Sequence, residues 1–221
     1  MGQSIVQTDR PVTLVGAGGV RKRHLRAALA LAPLLVAADG GANVAVGMGL
    51  VPDAVIGDLD SVLPEVLAAV PRTRILAVPE QETTDFEKCL SRIVAPFILG
   101  LGFTGARVDH TLAVCSALIR YPGARCLILS EADVTFALPD RIHLPLPAGT
   151  RVSLFPMAKV EAASSGLRWP VAGIPFAPDG PIGTSNEATG PVTLTTGGPG
   201  MLAVLPRRWL RTAIAALAAD R

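Results

Sequence analysis

From residue 11 to about residue 136, short apolar runs alternate with stretches of helical length, and this alternation restricts the fold more than anything else in the chain. Residues 12–15, 34–38, 54–56, 75–78, 97–101 and 126–129 read as strands. Their apolar runs are nearly continuous, as in a mainly parallel sheet covered on both faces. Between them, residues 21–31, 64–69, 85–93 and 107–121 read as helices. In the last of these, Leu112, Cys115, Leu118 and Ile119 recur at three- and four-residue intervals and form an apolar stripe. Strand–helix alternation of this kind predicts a doubly wound, Rossmann-like α/β domain. The texture then changes near Pro139, and from that residue to the end lie 11 of the 19 prolines. Prolines break helices and suit short strands joined by turns, so residues 151–155, 192–195 and 201–205 read as strands. The boundary falls at about 138–142, giving an α/β domain over 1–138 and an all-β domain over 139–221. The closing RRWLRTAIAALAADR aligns Leu210, Ile214 and Leu217 on one face of a terminal helix.

Half of the 221 residues are hydrophobic but only 4% are aromatic, so the core must be built from Ala, Val and Leu. A net charge of +2 leaves no nucleic-acid footprint: the one dense basic cluster, Arg21, Lys22, Arg23 and Arg26, has no aromatic residue to stack on bases. It reads as a solvated helix face. No apolar run reaches the roughly 18 residues of a membrane span. The first residues also lack the basic-then-apolar order of a secretory signal, so a cytoplasmic protein is expected. Three cysteines, an odd number, fit reduced thiols. Cys115 and Cys126 sit in apolar stretches, and Cys89 has no histidine at zinc-ligand spacing.

Chemistry is concentrated in carboxylates that have no local cations. From Ala27 to Pro71 there is no Lys or Arg, yet Asp39, Asp53, Asp58, Asp60 and Glu65 all fall there. Grouped carboxylates repel unless solvent or a metal separates them. Asp39 follows the apolar run LLVAA, and Asp58 and Asp60 follow AVIG. Ligands of open α/β sheets bind beyond the carboxyl ends of the strands, so these residues should converge on one rim. Two aspartates at i and i+2 of an extended segment point to the same side, an arrangement suited to Mg²⁺ and phosphate oxygens. The competing reading is a pair of solvated turns, which Asp and Gly also favour. Neutralising Asp58 or Asp60 should then leave melting unchanged or raise it, because mutual repulsion is relieved.

Two further segments add candidates. In QETTDFEKCL, Thr84 and Glu87 have capping-box spacing, and Asp85 and Lys88 lie three apart, as in an ordinary surface ion pair. In GLGFTGARVDHTLA a glycine-containing loop leads into a helix near Arg107. Backbone amides at a helix start suit phosphate, Arg107 can bind its oxygens bidentately, and Asp109 and His110 offer a metal ligand and a proton donor. A capped first turn that merely contains charges is the alternative. LVGAGGVR begins like GxGxxG, but Arg21 stands at the third glycine, so it carries no dinucleotide assignment.

Taken in order, DGGAN at 39–43, PDAVIGDLDS at 52–61, TDFEK at 84–88, GARVDH at 105–110, SSGLRWP at 164–170 and GTSNE at 183–187 resemble the thiamine pyrophosphokinase family over about residues 34 to 205. The resemblance implies an N-terminal catalytic domain, a C-terminal β-sandwich that binds thiamine, and a homodimer. It implies Mg²⁺ and ATP, with AMP as the leaving product. Carried over by motif, Asp39, Asp58, Asp60 and Asp85 form the acidic metal and phosphate site, with Asp58, Asp60 and Asp85 as metal ligands. Gly40 and Asn43 belong to the nucleotide side, and Lys88, Arg107, Asp109 and His110 handle the polyphosphate. Trp169, Ser185 and Asn186 contact thiamine. This sequence departs from the pattern at Glu82 (an aspartate is usual), at Ala106 (a glycine is common) and in the helix after Leu205.

The implied reaction is attack of thiamine's hydroxyl on the β-phosphorus of ATP, with either Asp85 or Asp109 accepting the proton. Two rivals share much of this sequence: a pyrophosphokinase acting on another alcohol such as a hydroxymethyl pterin, and a non-catalytic nucleotide-binding protein. Only the second-domain motifs separate thiamine from a pterin. For Trp169 a core position in the sandwich is the competing reading, and for Ser185 and Asn186 a polar turn.

Overall fold

The computed structural model describes residues 6–105 and 107–219; Ala106 lies outside the described residues. The chain divides into two compact units, Met1–Ala117 and Leu118–Arg221, the division falling inside a helix.

In chain order the first unit contains β1 (Val6–Gln7), β2 (Val12–Val15), α1 (Lys22–Leu29), β3 (Leu34–Ala38), α2 (Gly41–Gly47), β4 (Ala54–Gly57) and α3 (Pro64–Ala69). There follow β5 (Ile75–Ala77), α4 (Asp85–Leu90), β6 (Ile93–Val94), β7 (Ile98–Leu101) and the start of α5 (Val108–Arg120). Its main sheet is wholly parallel in the order β7-β2-β3-β4-β5, so the winding reverses direction at β2. β1 and β6 form a separate parallel pair. On one face Val15, Ala37 and Val55 of the sheet pack with Leu25 of α1, Ala42 and Ala45 of α2 and Val66 of α3. The small side chains of α2 let it lie close. Even a Cβ at Gly41 would stand 2.1 Å from the Val15 carbonyl oxygen, which excludes any residue but glycine there.

The six predicted strands are all present, with ends shifted by a residue or so. Three readings change. Helix α2 is not evident in GGANVAVG, whose glycines and valines are weak helix formers; burial of Ala42 and Ala45 overrides that propensity. Helix α4 stops at Leu90 rather than 93, because Ile93 and Val94 are drawn into pairing with Val6 and Gln7. In α5 the buried face is Val114, Ala117 and Leu118, whereas Leu112 is exposed, so the predicted stripe is turned on the helix.

The second unit contains β8 (Cys126–Leu129), β9 (Asp133–Ala137), β10 (Arg141–Leu144), β11 (Arg151–Pro156), β12 (Ala162–Leu167), β13 (Gly183–Thr196), β14 (Met201–Pro206) and α6 (Leu210–Ala219). Its strands are antiparallel in the order β8-β9-β14-β11-β13-β10, with β12 also on β13. Strand β13 serves two sets of neighbours: Gly183–Glu187 pairs with β11, while Val192–Thr195 pairs with β10. Gly190 and Pro191 lie between, residues that weaken a continuous ladder and mark a bend. β12 carries a bulge between Ser165 and Leu167. Gly166 sits there at φ +78°, and a Cβ on it would meet the Pro191 carbonyl oxygen at 2.0 Å. The glycine of SSGLRW is therefore a close-approach residue. Helix α6 packs on β10.

Candidate functional site

The acidic rim is assembled at the ends of β3 and β4. Asp39 directly follows β3 at φ +43°, and its amide donates to the Ile56 carbonyl of β4 at 2.9 Å. Its buried carboxylate Oδ1 accepts the Leu59 amide at 2.8 Å. Leu59 itself is left-handed at φ +69°, a conformation that costs a bulky side chain roughly 1–2 kcal/mol and persists where the surroundings enforce it. The segment Asp58–Asp60 is thus not extended, as its i, i+2 spacing predicts, but sharply bent. That bend carries Asp58 and Asp60 to Asp39, on the common rim expected from the strand ends. One oxygen each from Asp39, Asp58 and Asp60 lies within 4.8 Å of the others.

Neighbouring residues hold this loop at its other end. Asn43 Nδ2 donates to the Ser61 carbonyl at 2.8 Å, and its Oδ1 accepts the Leu63 amide at 3.0 Å. Asn43 therefore fastens α2 to the GDLDS loop. Gly40 leaves just enough room, since a Cβ there would stand 3.3 Å from Ser61 Cβ. Ser61 Oγ donates to Asp60 at 2.9 Å. Asp53 is separate from this rim: its carboxylate accepts the Leu35 amide at 2.9 Å at the start of β4.

Lys88 joins the rim to α4. Its ammonium stands 3.0 Å from Asp58 and 3.1 Å from Asp85, with the side chain only 2% exposed. This is not the surface ion pair that the spacing suggests, although the Thr84–Glu87 capping box forms as read. Gln81 Nε2 adds a 2.9 Å hydrogen bond to Asp58. The Lys88 hydrogen bond, with Gln81 behind it, holds the Asp58 carboxyl well below its usual range, at about 2. Burial tends to discharge Lys88, but the hydrogen bonds it donates to Asp58 and Asp85, together with their charges, outweigh it and keep its pKa raised. Asp85 shifts the other way: loss of water raises its pKa more than Lys88 lowers it. One bridge therefore favours the charge on Lys88 without restoring to Asp85 what desolvation took. Asp39 joins Asp58 and Asp60 in the close group, and Asp85 is tied to Asp58 through Lys88.

At the start of α5, Arg107 and Asp109 form a two-pronged pair at 2.6 and 3.3 Å, both exposed. The guanidinium holds the Asp109 carboxyl below its ordinary value. His110 is exposed on the same turn. The positive end of Arg107 is balanced inside the chain by its own neighbour, which answers the dipole conflict raised by a basic residue at a helix start.

In the second unit Trp169 is 54% exposed, which excludes the core reading. Its backbone, however, is held on both sides by one side chain. Asn186 Oδ1 accepts the Trp169 amide at 3.2 Å, and Nδ2 donates to the Trp169 carbonyl at 2.7 Å. Asn186 is buried and also accepts the Glu187 amide at 2.8 Å. Ser185 is left-handed at φ +61°, its amide donating to Ser153 Oγ at 3.0 Å. Ser185 and Asn186 therefore lie in strand β13 and not in a turn, and the bonds of Asn186 fix the backbone of Trp169. The Arg168 guanidinium lies 5.1 Å from the indole centroid. Sequence reasoning did not find Gln81 or the Asn186 clamp; neither has a local pattern, because their partners lie 23 and 17 residues away.

Residues 25–128 match the family model described as thiamin pyrophosphokinase, catalytic domain, and residues 140–199 match the thiamin pyrophosphokinase vitamin B1 binding domain. Among relatives, thiamine pyrophosphokinase 1 of Oryza sativa subsp. japonica is 33% identical over 189 residues, covering 70% of this chain and 72% of the relative. Thiamine pyrophosphokinase 1 of Arabidopsis thaliana is 30% identical over 189 residues, with coverages of 70% and 71%. The fold is similar to that of the thiamin pyrophosphokinase from Candida albicans, with a TM-score of 0.75 at 16% identity over 92% of this chain and 93% of that one. The enzyme from Geobacillus thermodenitrificans gives 0.70 at 23% identity, over 88% and 96%.

Proposed function

This chain belongs to the thiamine pyrophosphokinase family, and from that premise we propose how its residues carry the reaction. The enzyme is a thiamine diphosphokinase; the vitamin B1 binding match favours thiamine over a pterin. In the proposed reaction the thiamine hydroxyl oxygen bonds to the β-phosphorus of ATP while the bond from that phosphorus to the α-phosphate bridging oxygen breaks. Thiamine diphosphate and AMP are the products. The observation that carries this reading is the convergence of Asp39, Asp58 and Asp60 at two adjacent strand ends, within the part that matches the catalytic model.

The donor set fits Mg²⁺: three carboxylates supply only hard oxygens, and Mg²⁺ is usually held by one or two of these plus phosphate oxygens and water. Bound there, Mg²⁺ would neutralise charge on the polyphosphate. The chain's own groups do the rest. Lys88 adds a fixed positive charge that cannot swing away, because Asp58 and Asp85 grip it. Arg107, exposed and held by Asp109, is available to phosphate oxygens, with His110 beside it as a donor. For the proton of the attacking hydroxyl, Asp85 is better placed than Asp109. It is joined to the rim through Lys88 and is partly buried, whereas Asp109 is exposed and already accepts two bonds from Arg107. Trp169 provides a flat face for a ring of thiamine, on an edge shaped by Ser185 and Asn186.

The same reading takes residues 1–138 as a Rossmann-like catalytic domain and 139–221 as a β-sandwich that binds thiamine, within a cytoplasmic homodimer. The dimer would be tested by sedimentation, which should return twice the chain mass. No helix among the described residues is long and apolar enough to cross a membrane. The deciding experiment is product analysis with Mg²⁺, ATP and thiamine. Thiamine-dependent AMP is expected, and thiamine-dependent ADP would make the protein a simple kinase.

A further inference from the structure

Trp169 is not a bare aromatic face. Arg168 covers it with a guanidinium whose carbon is 5.1 Å from the ring centroid, and the same guanidinium lies 3.6 Å from a Glu187 carboxylate oxygen. The arrangement is built into the strands: the Arg168 amide donates to the Glu187 carbonyl at 2.8 Å, next to the Asn186 clamp on Trp169. The three side chains therefore sit at fixed neighbouring positions, while their outer ends remain largely exposed.

An indole face attracts cations through its quadrupole. A guanidinium already on that ring weakens its pull on a second cation at either face, both by occupying the quadrupole and by like-charge repulsion. Glu187 acts in the opposite sense: it offsets the charge of Arg168 and attracts any cation that reaches the ring. We propose that Arg168 and Glu187 are specificity-determining residues of the Trp169 platform, Arg168 opposing and Glu187 favouring a positively charged ring. This inference rests on the assignment of Trp169 to thiamine, whose thiazolium ring carries a full positive charge.

The test measures equilibrium binding by calorimetry at low ionic strength, where exposed charges are least screened. Two probes are compared: thiamine, and a neutral isostere in which a thiophene replaces the thiazolium. Arg168→Gln should tighten thiamine relative to the isostere by about two- to threefold, the size of one full-charge repulsion across about 8 Å of high-dielectric surroundings. Arg168→Lys keeps the charge and should retain the wild-type ratio. Glu187→Gln should move the ratio the other way, by a similar factor. An Arg168→Gln protein with an unchanged ratio, or one shifted toward the isostere, overturns the inference. Trp169→Ala separates this failure from failure of the underlying reading. If Trp169→Ala weakens thiamine while the ratios stay flat, the platform stands and the charge-selection inference falls. If Trp169→Ala leaves both probes unaffected, platform and inference fall together.

Discussion

The two candidate regions hold their functional groups by opposite means. At the acidic rim the groups are charged, and charged neighbours hold them: Lys88 grips Asp58 and Asp85, and Asp39 bends the loop that carries Asp58 and Asp60. At the Trp169 edge the working group is neutral and exposed, and a neutral amide, Asn186, fixes only its backbone. The rim is thus held by charge pairing, and the edge by backbone hydrogen bonds. It follows that substitutions at the rim should alter chemistry and pH response together, whereas substitutions at the edge should alter thiamine binding with little response to pH.

The largest effect should come from Asp58→Asn, which removes a charge from the carboxylate group proposed to hold Mg²⁺. Turnover should fall by at least about a hundredfold, the scale of losing one strong electrostatic contact in a transition state. Unlike Asp60→Asn, whose carboxylate accepts a hydrogen bond from Ser61, Asp58→Asn takes away one of the two carboxylates that hold buried Lys88. The level or higher melting temperature that repulsion alone predicts should therefore appear for Asp60→Asn and not for Asp58→Asn, which should melt lower. Equal thermal shifts in the two variants would remove the charge-held description of the rim.

Acid titration of stability sharpens the same contrast. The folded pKa of Asp58 is depressed from 3.8 to about 2. Its contribution is therefore fully present above about pH 4 and lost as pH falls through 2. Asp85 has the opposite sign, since a raised folded pKa disfavours the folded state once the carboxylate ionises. Chemical unfolding followed from pH 5 to pH 2 should show a steeper acid loss in wild type than in Asp58→Asn. Parallel curves would contradict the assignment.

At the edge, Asn186→Ala removes three hydrogen bonds from a buried side chain and should destabilise by about 2 kcal/mol. The KM for thiamine should rise as the Trp169 backbone loosens, and the acid limb should keep its wild-type shape. A change in that limb would mean the two regions are not independent. Smaller still is Trp169→Ala. Its ring is half exposed, so stability should stay within about 0.5 kcal/mol while thiamine binding weakens by about two- to thirtyfold. Thermal melting and calorimetry on one sample give both numbers.

Much of this was legible before any coordinates, and for a physical reason. Apolar runs and their spacing are local properties, so the six strands of the α/β part and the position of Asp39 and Asp58 at strand ends follow from short windows. The proline-rich texture from Pro139 onward likewise announces short strands joined by turns. What the windows could not contain is any pairing of distant residues. That Leu59 is left-handed and that Lys88 is buried between two aspartates depend on β4 lying beside β3 and α4 packing on both. Asn186 is the plainest case: four letters in TSNE say only that an amide is present. Its use as a clamp on Trp169 exists because β12 and β13 pair with a bulge at Gly166, and a hydrogen bond between residues 17 apart is decided by that register alone.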